Sequence, residues 1–141
     1  TEKKLVDLIG TFVQTLEKKY EKVYLIRNDE KGIRLKLTEF NGPRGFMPDF
    51  ILYLENENYN YQVYIEPKGQ HLESNDAWKQ EMLYEINGSD IEVIGENEEV
   101  RLIGLKFYNE DNEREFINEL SEKVNDGNSL DNQVGLFTED I

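Results

Sequence analysis

The sequence contains no cysteine, which excludes a disulfide framework, thiolate zinc sites and a cysteine nucleophile. Histidine occurs once, at His71, so a histidine-rich metal centre is excluded too. No apolar run approaches the roughly 18 residues that a membrane-spanning helix needs, so no membrane partner is expected. No Gly-rich phosphate loop is present, so any use of ATP belongs to a separate module. Internal repeats are lacking as well. The opening Thr-Glu-Lys-Lys is not a signal peptide, which predicts a cytoplasmic location. It also lacks a leading Met, from which a fragment of a longer chain is expected.

The 141 residues that remain to be explained suit one domain. Apolar residues make up 38% and aromatic residues 11%, enough for one modest core. The net charge of −14 argues against a self-sufficient DNA-binding domain, which would show a basic face. The charge is uneven. Residues 108–141 carry 10 acids and 2 bases, whereas the stretch from Arg27 to Arg44 holds five bases and three acids. The acidic excess reads as a solvated outer surface and tail. Non-specific DNA affinity comes from phosphate contacts. Few are on offer, so another module is expected to hold the DNA.

Apolar residues recur at helical spacing at Leu5, Leu8, Ile9, Phe12, Val13 and Leu16, with Tyr20 continuing the stripe. This predicts a first helix over about 3–21. Val23–Ile26 reads as a short strand, and Ile33, Leu35 and Leu37 alternate with polar residues as a second. Asn41-Gly42-Pro43-Arg44-Gly45 is a loop. A helix is expected over about 76–86, carried by Trp78, Met82, Leu83 and Ile86, then a strand at 100–107. Phe116, Ile117, Leu120 and Val124 mark a last helix. The polar chain beyond it reads as a loose acidic tail. The predicted organisation is therefore a domain over 1–125 and a tail over 126–141.

Between these elements lie two apolar runs, Phe50–Leu54 and Tyr61–Ile65, joined by the polar Glu55-Asn56-Glu57-Asn58. They read as a hairpin. Centring it between Glu57 and Asn58 opposes Phe50 to Ile65, Leu52 to Val63 and Leu54 to Tyr61. Side chains alternate faces along a strand, so these six share one apolar face. The same register sets Asp49 opposite Glu66 on the other face, with Lys68 one pleat beyond. A slip of one residue would scatter both sets, so the hydrophobic pattern selects the register that builds the site.

Opposed residues have Cβ atoms roughly 5 Å apart, where like charges repel. Two carboxylates so placed share a proton or bind a cation. Mg²⁺ suits such a pair, keeping several waters and accepting phosphate oxygens, with Mn²⁺ as a substitute. Lys68 is placed to orient an attacking water or to offset charge on a phosphate. Pro67 cannot donate to a ladder, so it is read as the point where the strand leaves the sheet. Its carbonyl is then a third candidate metal ligand.

At these residues the chain resembles a known family. Pro48-Asp49 with Glu66-Pro67-Lys68 is similar to the PD-(D/E)xK nuclease signature. Leu25-Ile26-Arg27-Asn28, Gly45-Phe46-Met47-Pro48-Asp49-Phe50, Ile65-Glu66-Pro67-Lys68-Gly69-Gln70-His71 and Asp76-Ala77-Trp78-Lys79 extend the likeness. Over roughly residues 1–125 the pattern resembles the C-terminal endonuclease domain of the restriction (Res) subunit of Type III restriction–modification enzymes. The resemblance implies an α/β fold with a restriction-endonuclease-like core. Its central mixed sheet is flanked by helices on both faces, in α-β-β-β-α-β order with a C-terminal helix. It implies a Mg²⁺-dependent endodeoxyribonuclease acting on double-stranded DNA. A helicase-like ATPase module would precede the domain in the parent chain, and a methyltransferase (Mod) subunit would be its partner. A related nuclease of repair or junction resolution is an alternative reading. A catalytically idle nuclease-fold domain used for assembly is another.

Further candidates surround the motif. Gln70, His71 and Lys79 are possible phosphate contacts, and Arg44 is a weaker one. Each also reads as an ordinary surface side chain. Among the central acids of the first helix, Glu17 lies nearest the apolar stripe. It is the candidate auxiliary acid, set against the reading as a solvated charge.

Overall fold

A computed structural model of the chain describes residues 2–27, 37–38, 45–46, 48–68, 77–87, 90–92 and 99–131. The first helix, α1, spans Glu2–Glu17 and buries Leu5, Ile9, Phe12 and Leu16. It stops before its apolar stripe does. The N–H groups of Lys19 and Tyr20 both turn back to the Leu16 carbonyl, at 3.0 and 2.9 Å, which tightens the last turn. Tyr20 is buried all the same, and its hydroxyl donates to the Val124 carbonyl at 2.6 Å.

Strand β1 follows at Lys22–Arg27. Leu37–Thr38 (β2) and Gly45–Phe46 (β3) pair with each other as a separate two-residue ladder. The remainder of the strand expected around Ile33 lies outside the described residues. The hairpin is β4, Phe50–Glu55, and β5, Tyr59–Ile65. Its register is the expected one, with Phe50 opposite Ile65, Leu52 opposite Val63 and Leu54 opposite Tyr61. The turn is held by Asn56, whose side-chain carbonyl accepts from the N–H groups of Asn58 and Tyr59 at 2.9 and 3.0 Å. An asparagine closing a turn on its own backbone explains why no Asn-Gly pair is needed.

Helix α2, Ala77–Glu85, connects β5 to β6, Asp90–Glu92, and β7, Glu99–Gly104. β7 runs parallel to β5 and pairs antiparallel with β6 on its other side. The main sheet is five-stranded and mixed, in the order β1-β4-β5-β7-β6. A 3₁₀ turn at Glu110–Asn112 leads into α3, Glu113–Val124. The fold is thus mixed α/β.

Two apolar clusters sit on opposite faces of the sheet. The larger joins α1 and α3 to Phe50, Leu52, Leu54, Tyr61, Val63 and Ile65. The smaller joins α2 to Ile51, Tyr64 and Phe107. The second face of the hairpin is therefore mixed: Ile51 and Tyr64 pack under α2, while Gln62, Asn60 and Glu55 lie toward the turn and Asp49 and Glu66 at the open end. The expected boundary at residue 126 is displaced. Asn125 and Gly127 N–H groups close α3 on the Ser121 carbonyl, with Gly127 at φ 79°. Beyond this cap Leu130 is 1% exposed and joins the larger cluster. Residues 132–141 lie outside the described set.

α2 docks on the end of β7 through side-chain amides. Asn87 gives its NH₂ to the Gly104 carbonyl and accepts from the Gly104 N–H, both at 3.0 Å. Gln80 likewise donates to the Leu105 carbonyl at 3.0 Å and accepts from the Phe107 N–H at 2.7 Å. These amides stand in for a strand neighbour, satisfying backbone groups beyond the reach of the short β6. The close approach requires glycine. A Cβ on Gly104 would land on the Leu83 carbonyl group, which belongs to the α2 backbone and cannot rotate away. Gly104→Ala is expected to destabilise the fold by about 3 kcal/mol through overpacking, read as a lowered urea midpoint.

Candidate functional site

Asp49 stands immediately before β4 and Glu66 immediately after β5. The register that pairs Phe50 with Ile65 brings them opposite each other. The Asp49 N–H donates to Glu66 Oε1 at 2.9 Å, so one carboxylate is anchored by the backbone of the other residue. Glu66 is 6% exposed, whereas Asp49 is half-buried. Lys68 Nζ lies 3.9 Å from Glu66 Oε2, an ion pair too long to be a hydrogen bond. The Lys68 side chain is 15% exposed, so its ammonium is held against the carboxylates rather than free in solvent.

Pro67 does not leave the sheet as expected. It forms a parallel bridge to Tyr108. The Glu66 carbonyl accepts from the Tyr108 N–H at 2.9 Å, and the Lys68 N–H donates to the Tyr108 carbonyl at 2.8 Å. In such a bridge the flanking residues make the bonds, so proline's missing N–H costs nothing. The bridge fixes Glu66 and Lys68 together. Carbonyls alternate in direction along a strand, so that of Pro67 points away from Tyr108, toward the β4 side.

The electrostatics follow from this packing. Burial, then the neighbouring Asp49 carboxylate, pushes Glu66 up to about 7; the Asp49 N–H, Lys68 and Lys79 pull against this. Asp49 is also raised, by burial and then by Glu2, and is lowered by Lys68, Arg27 and Lys79. Two desolvated carboxylates facing each other is the state that a bound cation relieves. All the candidate donors are oxygens, which suits Mg²⁺ or Mn²⁺. Among the described residues no third acid or histidine completes a cluster of three. Mg²⁺ is commonly held by one or two carboxylates with water for the rest.

Two residues that were not among the candidate site residues reach this end of the sheet. Arg27 ends β1 opposite Phe50, with its guanidinium 5.9 Å from the Phe50 ring centre. Glu2, at the start of α1, forms an ion pair with Arg27. Glu2 is therefore the acid that the first helix presents toward Asp49. The candidate Glu17 is corrected: it ends α1 and is exposed there, on the order of 22 Å along the helix from Glu2. Helical periodicity gives the face of a residue and says nothing about which end meets the site. Arg27 carried a readable signal, because pairing the first strand antiparallel to the hairpin sets it beside Asp49. Lys79, on the first turn of α2, is brought within electrostatic range of both carboxylates. Trp78 is half-buried in the α2 cluster and serves packing. Arg44, Gln70 and His71 lie outside the described residues.

The family model described as "HI_1054_C: C-terminal domain" matches residues 1–129. The chain belongs to this family. An uncharacterized protein of Haemophilus influenzae is 40% identical over 130 residues, which cover 82% of this chain and 27% of that protein. The chain thus spans about 27% of the length of the curated relative it matches. No solved structure matches it. No helix among the described residues is long and apolar enough to cross a membrane.

Proposed function

We propose that this family member is a metal-dependent DNA endonuclease domain with a restriction-endonuclease-like core. The observation that carries the reading is Asp49 bonded through its N–H to the buried Glu66, with Lys68 held on the same edge. The antiparallel run β1-β4-β5, the helix α2 and the parallel β7 support it; the short β6 between α2 and β7 is an addition to the order that the PD-(D/E)xK resemblance implies. Asp49, Glu66 and the Pro67 carbonyl would hold Mg²⁺ or Mn²⁺. Such an ion lowers the pKa of a bound water and polarises a phosphoryl group. The chain's own residues do the rest. The Asp49 N–H keeps the Glu66 carboxylate in one orientation. Lys68 orients the attacking water or offsets charge developing on the phosphate. Lys79 and Arg27 balance the phosphate's negative charge at the rim.

As a working assembly we propose a Type III restriction subunit, with a helicase-like ATPase in the same parent chain and a methyltransferase partner. The net charge of −14 supports this, because a domain so acidic grips duplex DNA poorly through phosphates and needs another module for that hold. Calorimetry with Mn²⁺ or Mg²⁺ tests the site directly. A binding signal is expected for the wild-type chain and its loss in Asp49→Ala. Undiminished binding in that variant would remove Asp49 from the metal site.

A further inference from the structure

Among the described residues, the sheet face that carries Asp49 and Glu66 is only partly covered. α2 packs over Ile51, Tyr64 and Leu102. Beyond it, on β1, Tyr24 is 55% exposed and Ile26 is 46% exposed. The pairing arranges this face in rows. Tyr24 lies opposite Tyr53, Ile26 opposite Ile51, and the next row holds Asp49 and Glu66. The Tyr24 and Tyr53 rings stack, with centres 6.4 Å apart and planes 26° from parallel. The Tyr53 hydroxyl is in turn tethered to Glu55. β1 does not need these side chains for packing, since Val23 and Leu25 join the larger core on the opposite face. Large apolar side chains on an outer strand invite association and are ordinarily avoided.

We propose that Tyr24 and Ile26 form a stacking platform for unpaired bases of the DNA strand whose phosphate meets Asp49 and Glu66. The inference rests on the nuclease reading and adds the substrate class, DNA with unpaired nucleotides beside the cut. Three observations favour a base over another occupant. First, the platform continues the carboxylate row on one face. At about 3.4 Å per residue, Ile26 is one row and about 7 Å from it, and Tyr24 two rows and about 14 Å. Both lie within reach of the nucleotides next to a phosphate held at the carboxylates. Second, Arg27, Lys68 and Lys79 gather the local positive charge at the carboxylate end, where a phosphate belongs. Third, an overall charge of −14 weakens any hold based on phosphates alone. Base stacking escapes that repulsion and tolerates any sequence.

The test uses the whole 141-residue chain with EDTA present, so that binding is read without cutting. Fluorescence anisotropy follows a labelled oligothymidylate and a duplex of equal length. The single strand is expected to bind more tightly than the duplex. Tyr24→Ser should weaken the single strand on the order of tenfold, and Tyr24→Trp should restore it, with the indole emission quenched on binding. Equal single-strand affinity in wild type and Tyr24→Ser overturns the platform, as does an oligothymidylate that fails to bind. If Tyr24→Ser melts early, Tyr24→Trp in a Trp78→Phe background decides, because its only indole is then at position 24: unquenched emission at saturating oligothymidylate overturns the proposal. Sedimentation that shows dimers abolished by Tyr24→Ser, with no oligothymidylate bound, assigns the patch to self-association and overturns it too. The nuclease reading fails separately. Loss of divalent-metal binding with the stacking intact would sink the endonuclease and leave the platform.

Discussion

Lys68→Ala is expected, on the proposed nuclease reading, to reduce DNA cleavage by the parent assembly on the order of 10²–10³-fold, the usual loss when one preorganised group that stabilises a transition state is removed. The fold should survive. Lys68 is held by its backbone, through the bond to the Tyr108 carbonyl at 2.8 Å, and alanine keeps that bond. Its ion pair to Glu66, at 3.9 Å, is too long to be a hydrogen bond. Metal affinity should not fall, because an ammonium does not ligate Mg²⁺ and its removal takes away a repelling neighbour. Arginine should rescue poorly, since a planar fork differs from a point charge. Single-turnover cleavage, melting temperature and metal titration separate these outcomes. Cutting at near wild-type rate would remove Lys68 from the mechanism.

Glu66→Gln should stabilise the metal-free chain above neutral pH. Glu66 is raised from an ordinary 4.5 to about 7 by burial and by Asp49. The sign follows from linkage. Below about pH 4.5 the group is protonated in both folded and unfolded chains and costs nothing. Between 4.5 and 7 the unfolded chain loses its proton first, so stability falls as pH rises, and the whole contribution is gone above 7. At roughly 1.4 kcal/mol per pH unit this amounts to about 3 kcal/mol. Glutamine keeps an oxygen to accept from the Asp49 N–H and carries no charge. Its melting temperature at pH 8 should exceed that of wild type on the order of 8 °C, at about 2–4 °C per kcal/mol. The difference should vanish at pH 4. The same change should abolish divalent-ion binding. Equal melting at pH 8 would show that Glu66 is better solvated than its 6% exposure implies.

Gain in stability with loss of ion binding would identify Glu66 as a group kept for chemistry at the expense of the fold. The surroundings agree. Its neighbours along the strand, Tyr64 and Ile65, are buried and packed, the first in the α2 cluster and the second in the larger core.

The hairpin and its site were legible in the amino-acid order because alternation is local. Phe50, Leu52 and Leu54 demand Val63, Tyr61 and Ile65 as partners, and any register that satisfies them sets Asp49 against Glu66. The stripe of Leu5, Ile9, Phe12 and Leu16 was legible for the same reason, a short period repeated over several turns. What periodicity cannot carry is the position of one element against another. Glu17 has a suitable helical face, yet the packing of α1 brings Glu2 to the site. Pro67 looks like a strand end, yet Tyr108, 41 positions away in the sequence, keeps it in the sheet through the bonds of its neighbours. Gln80 is an ordinary polar position within the expected helix and Asn87 lies just past its end, yet their side chains stand in for a strand neighbour along residues 104–107. Leu130 reads as part of a tail until the cap on Ser121 turns it into the core. Each of these depends on contacts between residues far apart in the chain. Such contacts form only when the sheet is assembled, so local pattern has no means of specifying them.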